Sequence, residues 1–180
     1  MNDLRILIEG NDDQRFIDNI IRPYFSKLKP ALILTIKYAE DTKIHIDKII
    51  QTLDAKNHKY ILLGDFDSSD KCITSKKEDL IKEFEHLNMN AIFIVKDEIE
   101  SWFISGVDTD LEEFSEFEIP ENTEGITKEM FNDMWKKSHF DSRIDFMMEI
   151  SKSFDFDLAV SRNNSFKYFI EKLNKILKSH

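Results

Sequence analysis

Three acidic signatures each follow a short apolar run in this chain: Glu9-Gly10 after Leu4–Ile8, Gly64-Asp65-Phe66-Asp67 after Tyr60–Leu63, and Asp97-Glu98-Ile99-Glu100 after Ala91–Val95. Carboxylates gathered a few ångströms apart repel, and some take up protons unless a cation lies among them. A hard divalent ion resolves that conflict. Mg²⁺ takes oxygen ligands, keeps several waters, and is held by one or two carboxylates together with a substrate phosphate. No His lies beside any of these acids, which disfavours zinc and non-haem iron. Gly10 and Gly64 flank the acids and would let backbone or phosphate come close. Asp12 or Asp13 can instead cap the helix that follows, and a single acid after a strand is ordinarily a loop residue; the combination of Glu9, Asp65 and Asp67 carries the signal.

The four apolar runs Leu4–Ile8, Leu32–Ile36, Tyr60–Leu63 and Ala91–Val95 lack clean polar alternation. Strands buried on both faces read this way, which predicts a mainly parallel sheet covered by helices. Helical spacing separates the runs. Phe16, Ile17, Ile20, Ile21, Tyr24, Phe25 and Leu28 recur every three or four residues. Thr42 can cap a helix carrying Ile46, Ile49, Ile50 and Leu53, and Ser75 with Glu78 forms a capping-box pattern ahead of Leu80, Ile81, Phe84 and Leu87. The alternation predicts an α/β fold, a four-stranded mainly parallel sheet flanked by helices with right-handed crossovers. In an open parallel sheet the strand ends with their acids share the carboxyl edge, where ligands bind. If the first and third strands are neighbours, Glu9, Asp65 and Asp67 converge there.

After Val95 the strand signal stops. A short helix around Trp102 is followed by helical patterns with Phe131, Met134 and Trp135, with Ile144, Met147, Met148 and Ile150, and from about Asn164 with Phe166, Phe169, Ile170, Leu173 and Leu177. The expectation is a single domain over residues 1–180: a core over about 1–105 and a helical extension over 106–180 packed on it.

The 180 residues, 41% hydrophobic, suffice for one buried core and exclude a multidomain machine such as a full topoisomerase or helicase. Only 4 Gly and 3 Pro occur, so disordered, collagenous and low-complexity classes are excluded. The one Cys, Cys72, makes neither an internal disulfide nor a cysteine zinc site, which argues for a reducing, cytoplasmic setting. No stretch reads as a signal peptide or membrane span. The net charge of −10 is unevenly spread: Asp97 to Glu124 holds 11 acids and no Lys or Arg, leaving 24 acids against 25 bases elsewhere. The overall sign therefore does not exclude a nucleic-acid partner. The last helix carries Lys167, Lys172, Lys175 and Lys178 against Glu171, and with Arg162 it is the candidate phosphate-contacting surface, although an ordinary solvated face reads the same. His45, His58, His86, His139 and His180 are scattered, Trp102 and Trp135 read as core anchors, and no phosphate loop or G-x-G-x-x-G is present.

Ile6-Leu7-Ile8-Glu9-Gly10 with Asp13 and Phe16 resembles the opening of the Toprim domain, and Ile61-Leu62-Leu63-Gly64-Asp65-Phe66-Asp67 resembles its D-x-D segment. Toprim is the metal-binding fold of topoisomerases, primases, a ribonuclease that matures 5S RNA, and overcoming-lysogenization-defect nucleases. Glu98-Ile99-Glu100-Ser101-Trp102-Phe103 is similar to a segment of small stand-alone Toprim-like proteins of prokaryotes, several of them in defence systems, and Arg162-Asn163-Asn164-Ser165-Phe166-Lys167 is similar to the start of their last helix. The similarity covers about residues 4–105, with a weaker match near 162–173. It implies Glu9 as general acid or base, and Asp65 and Asp67 as ligands of Mg²⁺, with Mn²⁺ as the alternative ion. Among Asp97, Glu98 and Glu100, the neighbouring Trp102 favours Glu100 as a further ligand, with Glu98 and Asp13 as additional acids; Asp70 has no counterpart.

The function expected is a Toprim-like, Mg²⁺-dependent phosphodiesterase or nuclease acting on DNA or RNA, in a defence setting, with nucleic acid and a protein partner rather than a membrane as its contacts. The alternative is a non-catalytic Toprim-like binding or regulatory subunit of a defence complex. A haloacid-dehalogenase-type phosphatase would carry D-x-D after its first strand, and a receiver domain would need a Lys after a fifth strand; neither pattern is present. No tyrosine module for strand reclosure and no zinc module for template binding is visible.

Overall fold

The computed structural model describes residues 3–28, 32–66 and 72–178. Four strands, β1 (Leu4–Ile8), β2 (Ile33–Lys37), β3 (Lys59–Asp65) and β4 (Ile92–Val95), form one sheet in the order β2-β1-β3-β4, with every neighbouring pair parallel. Helices flank the sheet and a helical stretch follows it, as the alternation of patterns predicts. The chain divides into two compact units, Met1–Val95 with Lys172–His180, and Lys96–Glu171.

In the first unit, α1 (Asn11–Phe16) and α2 (Arg22–Leu28) connect β1 to β2, α3 (Lys43–Ala55) connects β2 to β3, and α4 (Ile73–Glu83) lies between β3 and β4. One face of the sheet is closed by α3 and α4: Leu7, Leu62, Ile92 and Ile94 from the strands pack with Ile46 and Ile50 from α3 and Leu80 from α4. The connection β1 to β2 runs the opposite way along the sheet, so a right-handed crossover puts α1 and α2 on the other face. Leu4, Ile6 and Ile8 point to that face by strand alternation, and Phe16, Ile17, Ile20, Ile21 and Phe25 supply its buried apolar stripe.

Local chemistry explains where these elements begin and break. Thr42 caps α3 by accepting the His45 N–H at 3.3 Å, as its position before the apolar stripe predicts. Ser75 does not cap α4. That helix starts at Ile73, the exposed Cys72 Sγ accepts the Ser75 N–H at 3.4 Å, and Phe84 lies past the helix end. Between α1 and α2 the chain widens into a π-helical turn, Ile17–Ile21. Pro23 accounts for it: Pro has no N–H to give, and its ring presses on the carbonyl four residues back, which the wider turn relieves. The second strand departs from the expectation of burial on both faces: Leu34 is 38% exposed, because β2 is the edge of the sheet.

The second unit holds α5 (Ile99–Ser105), α6 (Lys128–Lys137), α7 (Arg143–Lys152), α8 (Phe156–Arg162) and the first part of α9 (Asn164–Lys178). All seven residues of α5 are buried. Trp102 is its anchor, with ring centroids 5.4 Å from Phe166 and 5.0 Å from Phe169. A second aromatic group joins Phe103, Phe114, Phe131, Phe140 and Phe146, which is where much of the Phe-rich composition goes. Among the described residues no helix is long and apolar enough to cross a membrane.

Candidate functional site at the carboxyl edge of the sheet

The registers of β1 with its two neighbours build the site. Ile8 pairs with Lys37 and Leu7 with Leu62, so one step further Glu9 falls between Tyr38 and Gly64, and Gly64 pairs with Ile94. The Tyr38 N–H donates to the Ile8 carbonyl at 2.9 Å, so the β1–β2 ladder reaches this rung. Alternation places Glu9 on the same face as Leu7, the face closed by α3 and α4.

On that rung the Tyr38 hydroxyl donates to Glu9 Oε1 at 2.7 Å, and the backbone N–H of Asp65 reaches the same oxygen at 3.3 Å. Gly64 makes the room. A Cβ there would lie 3.4 Å from the Tyr38 hydroxyl and 3.7 Å from Glu9 Oε1. Among the described residues, Oε2 of Glu9 accepts no hydrogen bond, so this second oxygen is available to a water, a proton or a cation.

Tyr38 sits edge-on to Phe84, with centroids 5.9 Å apart. Burial pushes its ionisation far above the ordinary 10.0; the charge and hydrogen bond of Glu9, and the charges of Asp65 and Asp13, push the same way. Tyr38 is thereby kept protonated as the hydrogen-bond donor to Glu9. Asp13 is buried, and its Oδ2 accepts the Gly10 N–H at 2.9 Å, the reciprocal half of a capping box at the start of α1. Its capping role is thus realised, and its charge still reaches Tyr38. Asp12 pairs with Arg15.

The strand order gives this edge its meaning. With β2-β1-β3-β4, successive connections reverse direction between β1 and β3. A crevice opens outside the strand ends at such a switch point, and open α/β sheets bind their ligands there. Glu9 and Asp65 stand on the two strands that flank it. Asp67, and Asp70 with it, lies outside the described residues. Among the described residues no group of three or more His, Cys, Asp or Glu is arranged to hold a metal ion.

The remaining residues singled out from the sequence lie in the second unit. Glu100 is 3% exposed and is ion-paired with Nη2 of Arg143. Arg143 also donates to Asn132 Oδ1 at 2.7 Å and lies over the Phe131 ring at 5.1 Å. Glu98 accepts the Lys128 N–H at the start of α6. Arg162 spends its guanidinium on backbone, donating to the Val107 carbonyl at 2.6 Å, whereas Lys167 is exposed. Asp97 leaves β4 with φ of 63°, a left-handed conformation that only Gly, Asn and Asp adopt readily.

The two segments with motif-like character, Glu98–Phe103 and Arg162–Lys167, meet in a buried polar network. Trp102 Nε1 donates to Ser165 Oγ at 2.8 Å, and Asn163 Nδ2 donates to Thr123 Oγ1 at 3.1 Å and to Ser101 Oγ at 3.4 Å. Asn163 Oδ1 accepts from Ser165 Oγ at 2.8 Å and from the Phe166 N–H at 2.9 Å. Glu124, the last acid of the run from Asp97, is not in solvent. It is buried, accepts the Ser165 N–H at 3.1 Å and pairs with Lys96 at 3.2 Å.

Sequence reasoning missed Tyr38, Arg143 and Glu124. Tyr38 carried one usable signal, an aromatic with a polar tip immediately after the second apolar run. Arg143 and Glu124 carried none, because each pairs with a residue at least 28 positions away. Compared with protein-family models, with curated proteins and with solved structures, the chain matches none.

Proposed function

We propose that the carboxyl edge between β1 and β3 is a Toprim-like phosphodiesterase site that cuts DNA or RNA with the help of Mg²⁺ or Mn²⁺. The observation that carries this reading is the placing of Glu9 and Asp65 at the ends of the two strands that flank the switch point, where the Tyr38 hydroxyl and the Asp65 backbone N–H both bond Glu9 Oε1. The donor set fits a hard cation: it offers carboxylate oxygens, with no imidazole or thiolate among them. Asp65 and Asp67 are the residues that would hold the ion, and water and a substrate phosphate would fill the rest of its shell. When bound, the ion supplies Lewis-acid polarisation of the phosphate and eases deprotonation of a water.

The protein's own part follows from the hydrogen bonds. Tyr38 and the Asp65 N–H both occupy Oε1 of Glu9, so Oε2 is the oxygen that takes or returns a proton. Because Tyr38 keeps its own proton, it holds Glu9 in one rotamer without competing for the transferred one.

The test is cleavage of single- and double-stranded DNA and RNA with Mg²⁺, Mn²⁺ or EDTA. Metal-dependent cleavage by the wild type, absent in Glu9→Gln and Asp65→Asn, supports the reading; wild-type cleavage that persists in EDTA, or in both variants, defeats it. A second reading, a non-catalytic binding or regulatory subunit of a defence complex, is favoured by the closure of Glu100 on Arg143, which occupies the acid otherwise available as a further ligand. Under it, divalent ions bind without turnover.

A further inference from the structure

We propose that a groove on the second unit, between the segment 116–120 and α6, docks a cationic segment of a protein partner that inserts an apolar anchor. The groove encloses about 540 Å³, within the range of ligand-sized clefts. Its floor is Phe117, Ile126 and Met134, with the exposed Met130 and Pro120 at its sides.

Two features of α6 explain why an apolar cleft is open here. Phe131 turns inward to the aromatic core and is fully buried. Met130 and Met134, four positions apart, form a separate stripe that this core leaves outside, and Met130 is 50% exposed. From Met130 to Lys137 the helix rises about 10 Å, enough to lie against two turns of a helical segment. Methionine side chains are unbranched and polarisable, and they suit a surface that adapts to a peptide.

Charge selects the occupant. Glu116, Glu118 and Asp133 stand on the rim, and among the described lining residues Lys137 is the only cation. Asp133 pairs with Lys136 at 3.6 Å and Glu116 lies 3.5 Å from His139, exposed contacts worth little that a partner's cations can replace, while Glu118 has no ion-pair partner among the described residues. Glu116 and Glu118 also belong to the stretch Asp108–Glu124, which has eight acids and no Lys or Arg. A phosphate backbone is repelled there, whereas Lys or Arg flanking a Leu, Phe or Met anchor meets opposite charge around an apolar floor. The acidic run, which the proposed cutting site does not use, thereby acquires a role. The inference is independent of that site: it stands whether or not the sheet edge cuts nucleic acid.

The full chain is panned against a phage-displayed random peptide library, and enriched peptides are measured by fluorescence anisotropy at low and high salt. The expected peptides carry one or two large apolar residues flanked by Lys or Arg. Met130→Glu abolishes their binding, and Glu118→Lys weakens it by about tenfold or more with a smaller salt dependence. Both substitutions are at exposed positions, and circular dichroism melts verify that each variant is folded. Failure to enrich any peptide over the bare support overturns the proposal, as does enrichment of acidic or uncharged peptides. Equal binding by wild type and both variants also overturns it, in favour of diffuse attraction along the acidic run. A dimer in sedimentation velocity that Met130→Glu dissolves would assign the groove to a second copy of this chain instead.

Discussion

The Tyr38 hydroxyl donates a hydrogen bond to Oε1 of Glu9 across 2.7 Å, linking residues that leave adjacent parallel strands on the same rung. Burial, with the Glu9 charge and this bond acting the same way, raises the ionisation of Tyr38, and the bond gives Glu9 a fixed orientation. It also ties the edge strand β2 to the switch point, so the geometry of Glu9 depends on all three of β2, β1 and β3.

In the proposed phosphodiesterase site, replacing Glu9 by Gln keeps the shape and removes the proposed proton acceptor. Cleavage of nucleic acid is expected to fall by about 10²–10⁴-fold, the usual span of general acid–base catalysis. Tyr38→Phe removes one hydrogen bond to a charged group, worth about 1.5–3 kcal/mol, and lowers kcat by about ten- to a hundredfold with little change in KM. Initial rates on one defined substrate check both; a Tyr38→Phe variant as fast as the wild type would sever Tyr38 from the site.

Mg²⁺ or Mn²⁺ is expected to raise the melting temperature of the wild type, since an ion that binds only the folded state stabilises it by about 2.7 kcal/mol at a hundredfold excess over Kd. Asp65→Asn should lose most of that shift. Differential scanning fluorimetry across an ion titration decides the matter, and equal shifts in both proteins would locate the binding on the acidic run from Asp97 to Glu124.

Stability should fall at alkaline pH through Tyr38. Its ionisation is raised in the folded state, so the stabilisation is complete below the ordinary value of 10.0 and declines as pH rises beyond it. Above that pH the unfolded chain releases the phenolic proton while the folded one retains it, a loss of about 1.4 kcal/mol per pH unit. Urea unfolding on either side of that pH should show a shallower decline in Tyr38→Phe, whose ring keeps its contact with Phe84. Identical slopes in the two proteins would contradict the assignment.

The Glu100–Arg143 pair of the second unit is largely buried, and removing one partner strands the other. Arg143→Ala is expected to cost about 3–5 kcal/mol, the range for breaking a buried ion pair. Glu100→Gln, which keeps an acceptor for the guanidinium, should cost less. Denaturant melts that rank the two variants the other way would refute the pairing.

Gly106 and Gly125 provide a matched comparison. A Cβ at Gly106 would lie 2.4–2.7 Å from three ring carbons of Phe154, while one at Gly125 meets nothing within 4 Å. Gly106→Ala should therefore destabilise by about 1–3 kcal/mol, the cost of overpacking, and Gly125→Ala should be near neutral. The check is the difference in melting temperature between the two.

The order of strands and helices was legible because it is written in local spacing. Leu4–Ile8 and Tyr60–Leu63 read as buried strands from their own composition, and the stripe Ile46, Ile50 and Leu53 marked α3 with Thr42 as its cap. Ser75 misled because a helix start depends on which backbone N–H needs a partner, and Cys72, not a usual capping residue, met that need. The role of the Trp102 and Ser165 segments could be noticed in the sequence, but their hydrogen bond at 2.8 Å joins residues 63 positions apart.

Composition and periodicity alone determined the α/β class, the helical stretch after Val95 and the three acidic strand ends, because burial imposes its period on neighbouring residues. Tertiary structure alone decided that β1 lies between β2 and β3, and hence that Glu9 meets Tyr38 and the Asp65 N–H; it alone decided too, through the packing of α5 and α7, that Glu100 meets Arg143. Crossover direction and helix packing bring together residues 29 to 56 positions apart, and no local pattern records which distant partner a buried carboxylate will find.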